Sequence, residues 1–197
     1  MPVTYTNRKG VTFTLTQTVT KNGKLRYNFA REPVQGQPVE AVPEGQEIRE
    51  SINGIVTLGK ATPQLILPEE LAAVEAVVRQ LPDARRYRTE AKSDHILIYE
   101  NAGGDLTALV SELIGQGFLS APGQLERVRE IEHRNARYEP VMQFILVDQE
   151  KRKFSALRMS YRGYTNHWIN IGRNGTIHEL AAKYIPTLGT DEFFELW

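Results

Sequence analysis

The sequence predicts an α+β fold, in which an N-terminal β-hairpin lobe is followed by a C-terminal antiparallel β-meander packed with helices. Apolar residues alternate with period two near both ends of the chain, which indicates strands. Between these segments they recur every three or four residues, which indicates helices. Because strands and helices do not follow a βαβ rhythm, we expect antiparallel sheets with segregated helices.

The composition excludes several classes of protein. The 197 residues include no cysteine, so disulfides, zinc thiolates, iron–sulfur clusters and a cysteine nucleophile are excluded. The four histidines show no metal-ligand spacing. Neither a signal peptide nor an apolar run of the ~20 residues that a membrane span needs is present. We therefore expect a soluble cytoplasmic protein with no metal, no cofactor and no membrane partner.

Charge is segregated along the chain although the formal net charge is zero. Residues 1–31 hold six basic and no acidic side chains, whereas residues 32–83 hold nine acidic and three basic ones. Residues 151–173 again hold six basic side chains and no acidic one. A neutral total argues against indiscriminate binding of polyanions, but local segregation of this kind can steer a charged partner.

A β-hairpin is predicted over residues 11–31, where apolar side chains alternate on both sides of Asn22 and Gly23. A three-residue loop with Gly23 in the left-handed conformation pairs Val19 with Leu25 and gathers the apolar side chains on one face. The same register pairs Gln17 with Tyr27 and Leu15 with Phe29. The other face is threonine-rich and basic, and we expect it to be solvated.

The middle of the chain predicts a hinge that divides two lobes. Pro68, two following glutamates and an apolar stripe predict a helix over 68–81, after a Pro- and Gly-rich loop at 32–50. Asn-Ala-Gly-Gly at 101–104 is typical of a hinge, and an anion site at its glycines is the alternative. The predicted lobes are an N-terminal β-rich lobe with one helix, 1–103, and a C-terminal α+β lobe, 104–197. A further strand or hairpin is expected at 52–58, further strands at 87–90 and 95–99, and further helices at 105–116 and 120–138.

The C-terminal segment contains a helix start and an apolar end. Thr176 and Glu179 have the spacing of a capping box, which predicts a helix that ends before Pro186. Residues 190–197 are unusually apolar. We expect this tail to dock on the core, and a partner-docking end is the alternative.

Several short segments resemble an uncharacterised bacterial protein family. They are NGKLRYNF, VPEGQEIRE, GIVTL and WINIG followed by KYIPTLGTDEFFEL. The family pattern has PEGYEI and a C-terminal LGK-E-FFEL, so Gln46 stands in place of a tyrosine and Thr190-Asp191 in place of Lys-Glu. The resemblance implies a bacterial, intracellular protein, and it implies no activity because the family has none to transfer.

The strands predicted between residues 141 and 171 carry the main functional hypothesis. Residues 144–147 are apolar on both faces and indicate a central strand. In the following hairpin, a three-residue loop at 163–165 pairs Leu157 with Ile171 and Met159 with Ile169 as a core face. The opposite face then pairs Arg158 with Asn170, Ser160 with Trp168 and Arg162 with Asn166.

An Arg–Trp–Arg face has the side chains of a nucleic-acid platform, because tryptophan stacks on bases and arginines fork onto phosphates. The candidate binding residues are Arg158, Arg162, Trp168, Asn166, Asn170, Lys151, Arg152 and Lys153. The alternative is that Trp168 is covered by the N-terminal lobe, with arginines bridging to the acidic segment 32–83. The sequence thus favours a non-enzymatic protein that binds a macromolecule, with nucleic acid ahead of protein.

Two other functions remain open. An enzyme would place a cleft near Gly103 and use His167, Tyr161 or the Asp94–His95 couple, although neighbours on a strand point to opposite faces. No P-loop, nucleophile-elbow or HExxH motif supports this hypothesis. A protein–protein adaptor would instead use the apolar tail, residues 193–197.

Overall fold

The computed structural model describes residues 1–31, 36–103, 136–160 and 167–196, together with the single residues 110, 112, 123 and 127. These residues form eleven strands, in three antiparallel sheets, and three α-helices. The fold is therefore mostly β with a few helices, in agreement with an α+β class. Every helix in the described residues is too short or too polar to cross a membrane. The predicted helix at 105–116 lies outside the described residues, apart from residues 110 and 112. Of the predicted helix at 120–138, residues 123, 127 and 136–138 are described, and its predicted end is wrong because Tyr138 begins a strand.

The chain divides into two compact units, residues 1–62 and 63–197. Unit 1 contains a four-stranded sheet and a two-stranded sheet. Its strands are β1 (Thr4–Thr6), β2 (Thr12–Val19), β3 (Leu25–Ala30), β4 (Gln37–Pro38), β5 (Gln46–Glu50) and β6 (Val56–Lys60). In the larger sheet β2 is central, since β3 pairs with one of its edges and β1 and β4 with the other.

The register of the β2–β3 hairpin is confirmed. Val19 lies opposite Leu25 and Leu15 lies opposite Phe29, and Gly23 has a φ of 75°. The left-handed Gly23 closes the three-residue loop that the apolar alternation requires. The expectation of a fully solvated threonine face is wrong at Thr16, which is only 1% exposed. Its hydroxyl donates to the backbone carbonyl of a residue on β3, so the buried polar group is satisfied.

A carboxylate joins the two sheets of unit 1. Glu50 on β5 accepts hydrogen bonds from the Tyr5 hydroxyl at 3.0 Å and from the Arg8 backbone N–H at 2.8 Å. The Arg8 guanidinium also donates to it at 3.0 Å. Burial raises the pKa of Glu50, but these three hydrogen bonds and the charge of Arg8 outweigh burial and hold the pKa below its usual value.

This lowered pKa predicts that unit 1 loses stability in acid. A carboxyl group with a depressed folded-state pKa stabilises the fold above its unfolded pKa, near 4.5. That contribution disappears as the pH falls through the folded-state pKa. Glu50→Gln should increase hydrogen exchange in the β1–β2 segment at neutral pH, and the difference from wild type should shrink below 4.5. A difference that grows on acidification would contradict this role of Glu50.

Unit 2 is built on one five-stranded antiparallel sheet with the order β11-β10-β9-β8-β7. Its strands are β7 (Tyr87–Lys92), β8 (His95–Asn101), β9 (Tyr138–Asp148), β10 (Lys153–Ser160) and β11 (His167–Gly175). Its helices are α1 (Pro68–Val78), α2 (Ile177–Tyr184) and α3 (Glu192–Glu195), with short 3-10 turns at Ala84–Arg86 and Ile185–Thr187. The capping box of α2 is confirmed, since Thr176 and Glu179 exchange side-chain hydrogen bonds with each other's backbone N–H.

The compact units divide between Thr62 and Pro63, and not after Gly103 where the sequence places the lobe boundary. The reason is strand pairing. On β8, Ile96 lies opposite Phe144 of β9, so β7 and β8 belong to the sheet of the C-terminal strands. Pairing between strands this distant in sequence cannot be seen from local patterns.

One face of the five-stranded sheet carries the main core of unit 2. Ile98, Met142, Phe144 and Phe154 are fully buried on it. Residues of α1, α2 and the C-terminal tail belong to the same buried cluster. They are Val74, Val78, Leu180, Ala181, Tyr184 and Phe193. The predicted docking of the tail on the core is thus confirmed at Phe193, which is 3% exposed.

The register of β10 against β11 differs by one residue from the prediction. Arg158 lies opposite Ile169, and Met159 lies opposite Trp168. The last described pair is Ser160 with His167, and residues 161–166, which include the predicted three-residue loop, lie outside the described residues. Two irregularities near Ala156 also break the simple alternation of β11. A one-residue slip moves each side chain of one strand to the other face relative to its partners, so the predicted faces are wrong.

Candidate nucleic-acid interface

Arg158 is a core residue. It is 3% exposed and lies on the same face of β10 as the fully buried Ala156. Its Nε donates to the Leu196 carbonyl at 2.9 Å and its Nη2 to the Phe194 carbonyl at 3.0 Å. Its guanidinium also lies 6.0 Å from the ring centroid of Phe193. Arg158 therefore holds the C-terminal tail and is not presented to a ligand.

The predicted basic residues of the β9–β10 turn also have partners inside the protein. Arg152 has a φ of 49° and donates from Nε to Glu70 at 2.8 Å and from Nη2 to the Leu65 carbonyl at 3.1 Å. A second bond from Nη2 completes a two-pronged ion pair with Glu70, which is 4% exposed. Lys151 is exposed but its backbone N–H and its ammonium both face Asp148. Lys153 is half-buried.

Trp168 and Asn170 do not share a face with Arg158. Trp168 is half-buried and lies opposite Met159, whose side chain is on the other face of β10 from Arg158. Asn170 is half-buried and accepts a hydrogen bond from Arg173 at 3.1 Å. Arg162 and Asn166 lie outside the described residues. The described members of the predicted platform therefore do not form one basic aromatic surface.

The residues of the enzyme hypothesis are also dispersed. His95 does meet Asp94, at 2.8 Å between Nδ1 and Oδ1, because Asp94 lies in the turn and not on the strand. The expectation that these neighbours point apart is thus wrong. His167 is exposed at the start of β11, and Tyr161 lies outside the described residues. Where the chain is described, no three His, Asp or Glu side chains are grouped to hold a metal ion.

A different surface combines exposed apolar and basic side chains, and we call it the hairpin tip, residues 19–26. Val19 and Leu25 lie directly opposite each other and are 68% and 56% exposed. Lys21, Lys24 and Arg26, each within two residues of this pair in the chain, are also exposed. None of these three cations forms an ion pair within the described part of the chain. Exposed apolar pairs ringed by one sign of charge are typical of interaction sites.

The hairpin tip is held in one shape by local hydrogen bonds. The Thr20 hydroxyl donates to the Lys24 carbonyl at 3.0 Å and accepts from the Lys24 N–H at 3.1 Å. The Thr20 carbonyl also accepts from the N–H of Gly23 at 2.9 Å. A loop fixed in this way presents its cations with little loss of backbone entropy on binding.

Among the described residues, the hairpin tip is a ribbon of two strands. The described pairs between β4 and β2 end at Thr16 and Gln17, and β2 and β3 continue toward the turn. A hollow of about 410 Å³ borders the apolar pair on one side. It is lined by Gln17, Thr18, Val19, Leu25, Gly36 and Gln37. The tip therefore has an apolar, concave side, and Arg26 alternates to the opposite face of β3 from Leu25.

Besides the strand register, the sequence contains a second signal at the hairpin tip. Val19 and Leu25 are the apolar pair nearest the turn, and cations follow on both sides of Asn22-Gly23. A pair at the end of a ribbon has fewer neighbours to cover it than a pair such as Leu15 with Phe29. Turn-proximal apolar residues beside lysines therefore indicate a contact surface.

No family model, curated protein or solved structure matches this chain. The resemblance of its short segments to an uncharacterised bacterial family stays a prediction.

Proposed function

We propose that this protein is a non-enzymatic nucleic-acid-binding protein that contacts its ligand through the hairpin tip. The observation that carries the proposal is the exposed Val19–Leu25 pair, with the exposed Lys21, Lys24 and Arg26 within two residues of it in the chain. The first 31 residues contribute no acidic side chain that would oppose a phosphate backbone. Three lysine or arginine contacts with phosphates would release counterions, and this release is the main source of sequence-independent affinity.

The shape of the hairpin tip favours duplex nucleic acid over an acidic protein surface. A two-stranded ribbon has strands about 5 Å apart and fits a major groove about 12 Å wide. Lys21 and Lys24 flank the turn, and Arg26 lies on the opposite face of β3 from Leu25. A ribbon inserted in a groove has phosphates on both sides, so cations on both faces find partners. A flat acidic surface would meet only one face.

The apolar pair has a separate part in the proposal. Side chains such as leucine insert against bases or between base steps in groove-binding proteins. Val19 and Leu25 are the last strand pair before the turn, so they would follow the loop residues 21–23 into the groove. We therefore expect the cations to set the salt dependence and the apolar pair to add affinity that salt changes little.

The test is binding of a fluorescent duplex DNA at low salt, followed by anisotropy. Lys21→Glu with Lys24→Glu should abolish binding, because attraction to phosphates becomes repulsion. Lys151→Glu with Lys183→Glu is the matched control, since it makes the same charge change on exposed lysines of unit 2. The control should bind as wild type does. Absence of binding by wild type, or equal loss in the control, would refute the proposal. Binding of an acidic peptide but of no DNA would replace it with a protein-binding role.

A further inference from the structure

The hollow beside the hairpin tip lies on the face of the hairpin that carries Val19 and Leu25. Its volume of about 410 Å³ is within the range of small-ligand sites, about 300–1,000 Å³. Arg26, which lies opposite Thr18 on the other face of the hairpin, is not among the described residues that line it. Side chains of directly paired residues share a face, so Val19 and Leu25 form an apolar wall of the hollow.

Two glutamines form a polar wall of the same hollow. Gln17 of β2 lies directly opposite Gln37 of β4, so both side chains are on one face of the sheet. Gln17 precedes Val19 by two residues on β2, which places both glutamines on the face of the apolar pair. In the described part of the chain, neither amide has a hydrogen-bond partner. Each amide therefore offers donors and an acceptor to a ligand.

The backbone at Gly36 fixes the position of the second glutamine. Gly36 has a φ of 114°, which side chains rarely allow. A Cβ atom at this position would lie 2.8 Å from the carbonyl oxygen of Gln17 and 3.0 Å from Cγ2 of Thr18. Glycine therefore lets β4 approach β2 closely, and this approach holds Gln37 at the border of the hollow.

The lining of the hollow fits a nucleobase better than a charged ligand. None of its described lining residues is charged. Glutamine amides are suited to the polar edges of bases, and they recognise adenine through N6 and N7. Proteins hold a base outside its stack by hydrogen bonds to its polar edge and by apolar contacts with its ring. The glutamine pair and the Val19–Leu25 pair supply these two kinds of contact.

We propose that the hollow receives one unpaired base of the nucleic acid at the hairpin tip, an inference that rests on the proposed function. Val19 and Leu25 displace a base from its stack, as apolar wedges do in other proteins, and the hollow borders them directly. Lys21 and Lys24 contact the phosphates on either side of that base. The preferred ligand is a duplex with one extrahelical nucleotide, because no base pair has to be opened.

The test compares two fluorescent DNA duplexes by anisotropy, one fully paired and one with a single bulged adenosine. We expect the bulged duplex to bind at least about tenfold more tightly, because it does not pay for opening a pair. This ratio should be the same at 50 and 200 mM salt, since contacts with the base release no counterions. Equal affinities would overturn the inference and leave the proposed function intact. Absence of binding to both duplexes would refute the proposed function, and the inference with it.

Variants of the glutamine pair locate the base. Gln17→Leu with Gln37→Leu keeps the charge and removes both amides, so the preference for the bulge should disappear while affinity for the paired duplex stays that of wild type. That unchanged affinity also shows that the variant is folded. Gln80→Leu with Gln149→Leu, at exposed glutamines of unit 2, is the matched control and should keep the preference. A preference that survives Gln17→Leu with Gln37→Leu would overturn the assignment.

A fluorescent base reports its own position. Stacking quenches 2-aminopurine, so replacing the bulged adenine by 2-aminopurine shows whether the base leaves the helix. Wild type should raise its fluorescence on binding, because the described residues that line the hollow include no aromatic side chain to stack on the base. Binding without a change in fluorescence would contradict the placement of the base in the hollow.

Discussion

Glu70→Ala should destabilise unit 2 by about 3–5 kcal/mol, because it removes one partner of a buried ion pair and leaves the other uncompensated. Glu70 is 4% exposed and the Arg152 side chain is 28% exposed. The two-pronged bond between them raises the pKa of the Arg152 guanidinium. It also fixes the β9–β10 turn, where Arg152 has a left-handed backbone, against the start of α1. Urea unfolding followed by tryptophan fluorescence measures the change.

Two variants distinguish the lost pair from the lost side chain. Glu69→Ala, one residue away and exposed, should cost no more than about 0.5 kcal/mol. Glu70→Leu combined with Arg152→Met removes both charges and should recover most of the stability lost in Glu70→Ala. The free energy of unfolding lost in the double variant is compared with the sum of the losses in Glu70→Leu alone and Arg152→Met alone. If the two values are equal, the residues are not coupled and the ion pair does not explain the effect.

Arg158→Met should release the C-terminal tail and destabilise unit 2 by about 3 kcal/mol. Hydrogen bonds to a charged group contribute about 1.5–3 kcal/mol each, and Arg158 donates two to tail carbonyls. Phe193 loses its cation–π contact in the same substitution. Protection of Phe193 and Phe194 amides against hydrogen exchange should fall first. Arg173→Met, an exposed arginine on the neighbouring strand, should leave tail protection unchanged.

Arg158 also affects how binding experiments are interpreted. Reversing the charges of Arg158 and Arg162 is the experiment that the predicted nucleic-acid platform suggests. Because Arg158 lies in the core, Arg158→Glu would place an anion beside two carbonyl oxygens. Any loss of binding in that variant would report damage to the fold. Tail protection that survives Arg158→Met would show that this role of Arg158 is wrong.

Local patterns predicted the elements that depend on local interactions. The β2–β3 register was predictable because alternation and Gly23 agree on one loop length. The start of α2 was predictable because the side chains of Thr176 and Glu179 exchange hydrogen bonds with each other's backbone N–H. Both features are complete within a short stretch of chain, so no distant residue changes them.

Features that depend on distant residues were not predictable from these patterns. Placement of β7 and β8 in the C-terminal sheet depends on pairs such as Ile96 with Phe144, far apart in sequence. The prediction of the β10–β11 register failed because the pairing contains irregularities near Ala156 that the alternation of apolar residues does not reveal. Arg158 looked like a surface residue because a buried arginine is rare, and its acceptors lie in the C-terminal tail.

At the hairpin tip, the charge was predictable from the sequence and the exposure was not. Segregation of charge over residues 1–31 was visible in the sequence, and it now coincides with an exposed apolar pair. Exposure and side-chain partners therefore decide which basic residues are available to a ligand.

The most direct test of the hairpin tip is the salt dependence of its affinity for duplex DNA. Three phosphate contacts predict a slope of about −2.7 in log affinity against log salt, or a loss of about 40-fold between 50 and 200 mM salt. Neutralising Lys21, Lys24 and Arg26 to glutamine should bring the slope close to zero, and Val19→Ser with Leu25→Ser should lower affinity but keep the slope. An unchanged slope in the glutamine variant would contradict the assignment of nucleic-acid binding to this hairpin.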